Sequence, residues 1–238
     1  MNDHTFLISV LYSCIAGTLG TGLGGLLAYG IKPSNTKLLS LLMSFSAGVM
    51  LAVVIFSLVP ESLEMTTVWI MMFFIAVGAV FMMFCENIIP HTHATQTERL
   101  SWLLFFGIAM HNIPEGLAIG AGMNTQDNFG IMLALLIMLH NIPEGLAMSL
   151  PLRLSGKNPV PMALLAGLPT VVGAALGKLL GGISAAWIGG SLAFAGGAMA
   201  YLSIMDLIPE SASVSGYKQT LLAALAGLIA GFILVTII

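Results

Sequence analysis

Charged residues are scarce in this sequence. Only 7% of its 238 residues are Asp, Glu, Lys or Arg, whereas soluble domains carry about 25%. Hydrophobic residues account for 58% of the chain. A water-soluble fold of this size could not bury so much apolar surface, so the composition indicates that the solvent around the protein is lipid.

Basic clusters and cysteines are also rare. The net charge is -3 and no run of Lys or Arg occurs, which excludes nucleic acid as an expected partner. Cys14 and Cys85 each lie in an apolar run, and two such thiols predict packing roles rather than a disulfide framework or a zinc ribbon. The amino terminus lacks the basic region and cleavage site of a signal peptide, so we expect the first apolar run to be a retained helix.

Eight apolar runs are long enough to cross a bilayer as helices, which takes about 20 residues each. They lie near residues 6–30, 38–59, 68–89, 100–122, 129–150, 159–179, 184–208 and 219–238. No alternating pattern of period two favours a barrel, and the connecting loops are short. The sequence therefore predicts an all-α integral membrane protein of eight transmembrane helices, forming a single transmembrane transporter domain over residues 1–238.

The cations fall almost entirely on one side of these runs. Those flanking the loops between runs 1–2, 3–4, 5–6 and 7–8 are Lys32, Lys37, Arg99, Arg153, Lys157 and Lys218. Only Lys178 flanks the opposite side. Because cytoplasmic loops carry the excess of Lys and Arg, we expect a multi-pass protein of the cell inner (plasma) membrane with both termini outside, or periplasmic.

Two internal repeats relate runs that cross in opposite directions. FSAGVMLAVVIFSLVPES at 45–62 matches FAGGAMAYLSIMDLIPES at 194–211, and HNIPEGLA occurs at 111–118 and again at 140–147. The first pair lies on runs 2 and 7 and the second on runs 4 and 5. Because the run numbers differ by five and by one, both odd, the copies in each pair are antiparallel. The pattern predicts an inverted repeat, with spans 1–3 and 6–8 around central spans 4–5, which is typical of secondary transporters.

The repeated hexapeptide HNIPEG carries the polar chemistry. Within each copy, His and Glu are four residues apart and share a helix face, with Asn beside them. Each ionisable group at the centre of a membrane helix costs about 2.5–3.5 kcal/mol on insertion scales, so a function is expected. The residues are His111, Asn112, Glu115, His140, Asn141 and Glu144.

These residue types together predict a metal site. Neutral imidazole and carboxylate suit Zn²⁺, Fe²⁺ or Mn²⁺, and two glutamates neutralise one divalent cation. Pro114 and Pro143 each lack an N–H and crowd the carbonyl four residues earlier, so we expect kinks there and carbonyls that need another partner. A cluster of interhelical hydrogen bonds is the structural alternative to a metal site.

At these residues the chain resembles the ZIP (Zrt/Irt-like) metal transporters, in particular the short bacterial ZupT- or GufA-like branch. The resemblance implies uptake of zinc, and often of iron, manganese or cadmium, into the cytoplasm by a protein that forms a homodimer in the lipid bilayer. The metal is then the transported substrate and no cofactor is expected. The implied primary ligands are His111, Glu115, His140 and Glu144, with Asn112 and Asn141 beside a second metal position. Thr170 occupies a position where related sequences commonly carry a glutamate.

Two other functions stay open at this point. One is an intramembrane metal-dependent hydrolase, but catalytic zinc usually keeps three protein ligands, an open position and a separate base. Since both glutamates are needed to balance the ion, we expect a protein that is not an enzyme. The other is metal efflux or exchange, because ligand types do not encode direction. His91 and His93 could capture metal or could be solvated loop residues.

Overall fold

The computed structural model describes residues 3–30, 36–88, 96–125, 129–154 and 156–237, and the regular secondary structure in these ranges is all helical. Eight helical rods, here α1 to α8, account for nearly all of them. Their bounds are α1, Asp3–Ser13 continuing through Cys14–Leu19 and Gly20–Leu27 to Ala28–Gly30; α2, Thr36–Met65; α3, Val68–Ile88; α4, Gln96–Gly122; α5, Phe129–Leu154; α6, Val160–Gly181; α7, Ala185–Ser215; and α8, Tyr217–Ile237.

Six of the rods are long and apolar enough to cross a membrane: α1, α2, α5, α6, α7 and α8. Helix α3 qualifies as a shorter apolar helix over Val68–Phe84, and α4, which contains the first HNIPEG copy, is not among the six. Large apolar side chains such as Trp69, Phe73 and Phe84 are exposed on the surface, as lipid-facing residues would be. The fold is therefore that of a multi-pass membrane protein.

Short π-helical turns interrupt three of the rods. They lie at Cys14–Leu19 in α1, at Val54–Leu58 in α2 and at Leu202–Leu207 in α7. The turns in α2 and α7 occupy the same part of the repeated segment, and each ends two residues before the proline, Pro60 or Pro209. Such turns widen a helix locally and often occur at functional sites.

The outer helices pack through glycines in two matching sets. A Cβ on Gly48 of α2 would lie 1.9 Å from the Ala224 carbonyl oxygen of α8, and one on Gly197 of α7 would lie 2.0 Å from the Ile75 carbonyl oxygen of α3. The two contacts are equivalent under the internal repeat. Gly197 lies 149 positions after Gly48, and Ala224 lies 149 positions after Ile75, which is the interval between Phe45 and Phe194. Close backbone approach through small residues is typical of membrane helix pairs.

The helices that contact the two HNIPEG copies also pack in equivalent ways in the two halves of the chain. A Cβ on Gly24 of α1 would lie 2.2 Å from the Ile142 carbonyl oxygen of α5, and one on Gly173 of α6 would lie 2.1 Å from the Ile113 carbonyl oxygen of α4. Helices α1 and α6 also contact each other, α2 packs on α5, and α7 packs on α4. Helices α4 and α5 thus lie in the middle of the bundle.

The π turn of α1 compensates for a difference in length between α1 and α6. Gly17 packs against Gly167, and Thr21 of α1 has Thr170 as its counterpart on α6. From Gly17 to Thr21 the chain takes four steps, whereas from Gly167 to Thr170 it takes three. A π turn accommodates one extra residue, so both helices present equivalent residues to the centre.

Candidate metal-transport site

The described polar side chains of the two HNIPEG copies are buried on α4 and α5. Glu115, Asn112 and Asn141 are fully buried, and His140 and Glu144 are at most 2% exposed. Both helices continue without a break through Pro114 and Pro143. His111 lies within α4, and its side chain falls outside the described residues.

His140 and Glu115 form a direct contact between the two motif helices. The Nε2 of His140 lies 2.8 Å from Oε1 of Glu115, and neither side chain is accessible to solvent. The second carboxylate oxygen, Oε2, has no hydrogen-bond partner among the described residues. Because an unpaired buried carboxylate oxygen is costly, this atom is a natural acceptor for a cation or a proton.

The two motif asparagines donate to carbonyls of the neighbouring helices α6 and α1. Asn112 donates through Nδ2 to the Ala166 carbonyl at 2.8 Å, three residues before Pro169. Asn141 donates through Nδ2 to the Ala16 carbonyl at 3.2 Å, inside the π turn of α1.

This arrangement fixes the direction of both amides. A carbonyl can only accept, so each amide nitrogen must face it and each Oδ1 must face away. Both Oδ1 atoms are buried and without a partner in the described part of the chain. Each asparagine therefore has a structural donor and a spare oxygen that could contact a cation.

Glu144 is contacted by a residue outside the motif helices. Ser46 of α2 places its Oγ 3.1 Å from Glu144 Oε1 and 3.1 Å from the His140 carbonyl oxygen. No sequence motif singles out Ser46. The available signal is its place in the repeated segment, where a serine stands in an apolar run and the other copy has Ala195.

Thr170 provides a hydroxyl on α6. It is fully buried, and its Oγ1 lies where a Cβ on Gly17 would come within 2.1 Å. This oxygen has no hydrogen-bond partner in the described residues. The hydroxyl of its counterpart Thr21 instead lies 2.8 Å from both the Ala163 and the Gly17 carbonyl oxygens, which share its single proton.

The described side chains form a pair rather than a complete metal cage. Among them, no three His, Cys, Asp or Glu residues are close enough to hold one ion. His140 and Glu115 are brought together, while Glu144 is held by Ser46. His91 and His93 lie outside the described residues.

The sequence is similar to a family of membrane transporters and to several of its members. The family described as ZIP Zinc transporter matches residues 90–238. The zinc transporter GufA of Myxococcus xanthus is 39% identical over 176 residues, covering 69% of this chain and 68% of that protein. The zinc transporter ZIPB of Bordetella bronchiseptica is 31% identical over 252 residues, covering 95% and 80%. A ZupT zinc transporter of Escherichia coli is 32% identical over 252 residues, covering 96% and 95%.

A bundle of apolar helices around buried imidazole, carboxylate and amide groups defines a membrane transporter of cations. The chain belongs to the ZIP family of zinc transporters. The expected resemblance is thereby confirmed, and so is the expectation of a transporter rather than an enzyme.

Proposed function

We propose that this protein carries divalent transition metal ions into the cytoplasm, with zinc as the main substrate and iron, manganese and cadmium as further ones. The ion passes through a site formed by His111, Glu115, His140 and Glu144. The observation that carries the proposal is the buried contact between His140 and Glu115, which joins the two copies of the motif on antiparallel helices. The zinc transporters similar to this chain add independent support.

The chemistry of the pair suits capture and release of a dication. The hydrogen bond that links Nε2 of His140 to Glu115 must be given up when both groups turn to the ion, because a ligating imidazole nitrogen needs its lone pair. Glu115 and Glu144 together supply two negative charges. The ion therefore replaces a contact that a proton mediates.

We propose that a second metal position beside the first is weak. The spare oxygens near it belong to Asn112 and Asn141, which carry no charge. On α6, Thr170 offers a hydroxyl in place of a carboxylate. Two dications at close range repel strongly in a low-dielectric site, and further negative charge would be needed to hold both tightly.

We propose that all eight rods cross the membrane as one domain and that spans 1–3 and 6–8 form an inverted repeat around α4 and α5. The equivalent contacts support this, because α2 meets α8 as α7 meets α3, and α1 meets α5 as α6 meets α4. The π turns at equivalent places in α2 and α7 support it as well.

We propose that both termini lie outside an inner (plasma) membrane. Polar contacts link three loops at one end, since Ser215 donates to the Lys37 carbonyl, and Arg153 stacks on Tyr29, whose hydroxyl donates to Asn158. Lys178 binds the Met123 carbonyl and Asn124 at the other end. The positive-inside rule then assigns the first end to the cytoplasm. The assembly expected from the family resemblance is a homodimer in the bilayer.

Cellular accumulation of radioactive zinc tests the proposal. Cells expressing the protein should accumulate more zinc than cells without it, whereas an exporter would lower the content. His111→Ala or Glu144→Ala should abolish the gain at matched expression, because each removes a ligand. Normal accumulation by either variant would contradict the assigned site.

A further inference from the structure

We propose that Ser46 is a positioning residue for metal transport: its hydroxyl orients the carboxylate of Glu144 toward the ion from a neighbouring helix. The inference rests on the proposed function, because it takes Glu144 to be a ligand. It adds a residue from α2 to a site whose other proposed residues come from α4 and α5.

The contact is buried and doubly anchored on α5. Ser46 is fully buried, and its Oγ lies 3.1 Å from both Glu144 Oε1 and the carbonyl oxygen of His140. These two acceptors are one helical turn apart and share the single hydroxyl proton in a three-centre hydrogen bond, so the hydroxyl spans the turn that carries both proposed ligands. A carboxylate whose Oε1 is held in this way presents its other oxygen in a fixed direction.

The backbone acceptor of Ser46 lies in the turn of α5 that precedes Pro143, next to the Leu139 carbonyl, which is the one that loses its helical donor. Pro143 crowds the preceding turn of α5 and removes one of its backbone hydrogen bonds. Ser46 donates to a carbonyl within that turn. Ser46 thus links the turn of α5 that precedes Pro143 to the carboxylate of Glu144.

The corresponding place on the other half of the molecule has no hydroxyl. Ser46 lies 149 positions before Ala195, the interval that relates the two repeated segments. Helix α7, which carries Ala195, packs on α4 as α2 packs on α5. Ala195 is buried and cannot donate to Glu115, which is instead partnered by His140. The two glutamates are therefore oriented by different means, Glu115 from α5 and Glu144 from α2.

Removal of this hydroxyl should weaken zinc binding. Hydrogen-bond partners of metal ligands fix ligand orientation, and their loss typically costs about 10–100-fold in metal affinity. We expect Ser46→Ala to raise the zinc Kd by about tenfold, since the carboxylate itself remains. Ser46→Thr keeps the hydroxyl and should retain most of the wild-type affinity.

Equilibrium zinc binding to the purified full-length protein in detergent tests the proposal, with thermal melting measured on the same samples. Ser44→Ala is the matched control, because Ser44 is also buried on α2 and its Oγ has no hydrogen-bond partner among the described residues. Glu144→Ala is the reference for loss of the proposed ligand.

Three results distinguish the possibilities. Weaker binding by Ser46→Ala than by Ser44→Ala, with rescue by Ser46→Thr and equal melting temperatures, supports the positioning role. Equal or tighter binding by Ser46→Ala would overturn it, since tighter binding means that Ser46 competes with zinc for Glu144. Unaltered binding by Glu144→Ala would overturn the proposed site itself, whatever Ser46→Ala does.

Discussion

Gly116 follows Glu115 on α4 where this helix closely approaches α6, and Gly116→Ala should damage both stability and transport. A Cβ at this position would lie 2.0 Å from the Thr170 carbonyl oxygen and 2.9 Å from the Ala174 backbone nitrogen. Ordinary van der Waals contact begins at 3.4 Å, so the added atom is about 1.4 Å too close. Because both neighbours are backbone atoms, no side-chain rotation can relieve the overlap.

The magnitude follows from two opposing effects. Replacing a helical glycine by alanine gains about 0.5–1 kcal/mol from backbone entropy. Overpacking a tight contact costs about 1–3 kcal/mol, or more where the backbone must shift. At Gly116 the overlap dominates, and separating α4 from α6 by about an ångström would also displace Glu115 from His140, 2.8 Å away.

Gly107→Ala on the same helix is the control, since nothing lies within 4 Å of a Cβ placed there. Thermal melting in detergent should show Gly116→Ala destabilised and Gly107→Ala unchanged or slightly stabilised. Zinc uptake should fall only in the first. If the two variants melted and transported alike, the close packing of α4 on α6 would be refuted.

The remaining predictions concern the bound ion. Zinc affinity should decrease as pH falls through about 6.5, because protonated imidazole cannot ligate; a flat affinity between about pH 7.5 and 5.5 would argue against histidine ligands. Asn112→Ala should impair zinc uptake less than Glu115→Ala, because the amide contributes no charge, and equal losses would contradict this ranking. Calorimetric titration should show one tightly bound zinc ion per chain. Thr170→Asp introduces an acid of similar size and should strengthen the binding of a second ion. Two equally tight ions in the unmodified protein would contradict a weak second position.

The general architecture could be predicted from the sequence because lipid imposes simple rules. Charge scarcity and apolar run length predict membrane helices, and the multi-pass helical fold is confirmed. The π turns were not foreseen, since Cys14–Leu19 has no distinct composition. The signal for the turn in α1 lies in a comparison of the two halves of the chain. Between equivalent positions, α1 has one more residue than α6.

At the site, motif spacing located the polar residues but not their partners. The i to i+4 interval of His140 and Glu144 predicts a shared face, and both are buried on α5. The observed partner of His140 is Glu115 of the other helix, a contact set by helix packing. The sequence does not distinguish Ser46, because serine is common in apolar helices, where its hydroxyl usually donates a hydrogen bond to the backbone of its own helix. Its role depends on which helix lies opposite, and local sequence does not encode this.

Anomalous diffraction at the zinc edge, from crystals of the protein grown with zinc, tests the central claim most directly. The account predicts a strong peak between α4 and α5, within about 2.0–2.2 Å of Nε2 of His140 and of carboxylate oxygens of Glu115 and Glu144. A principal peak elsewhere in the bundle, with His140 still bound to Glu115 as in the present structure, would contradict it.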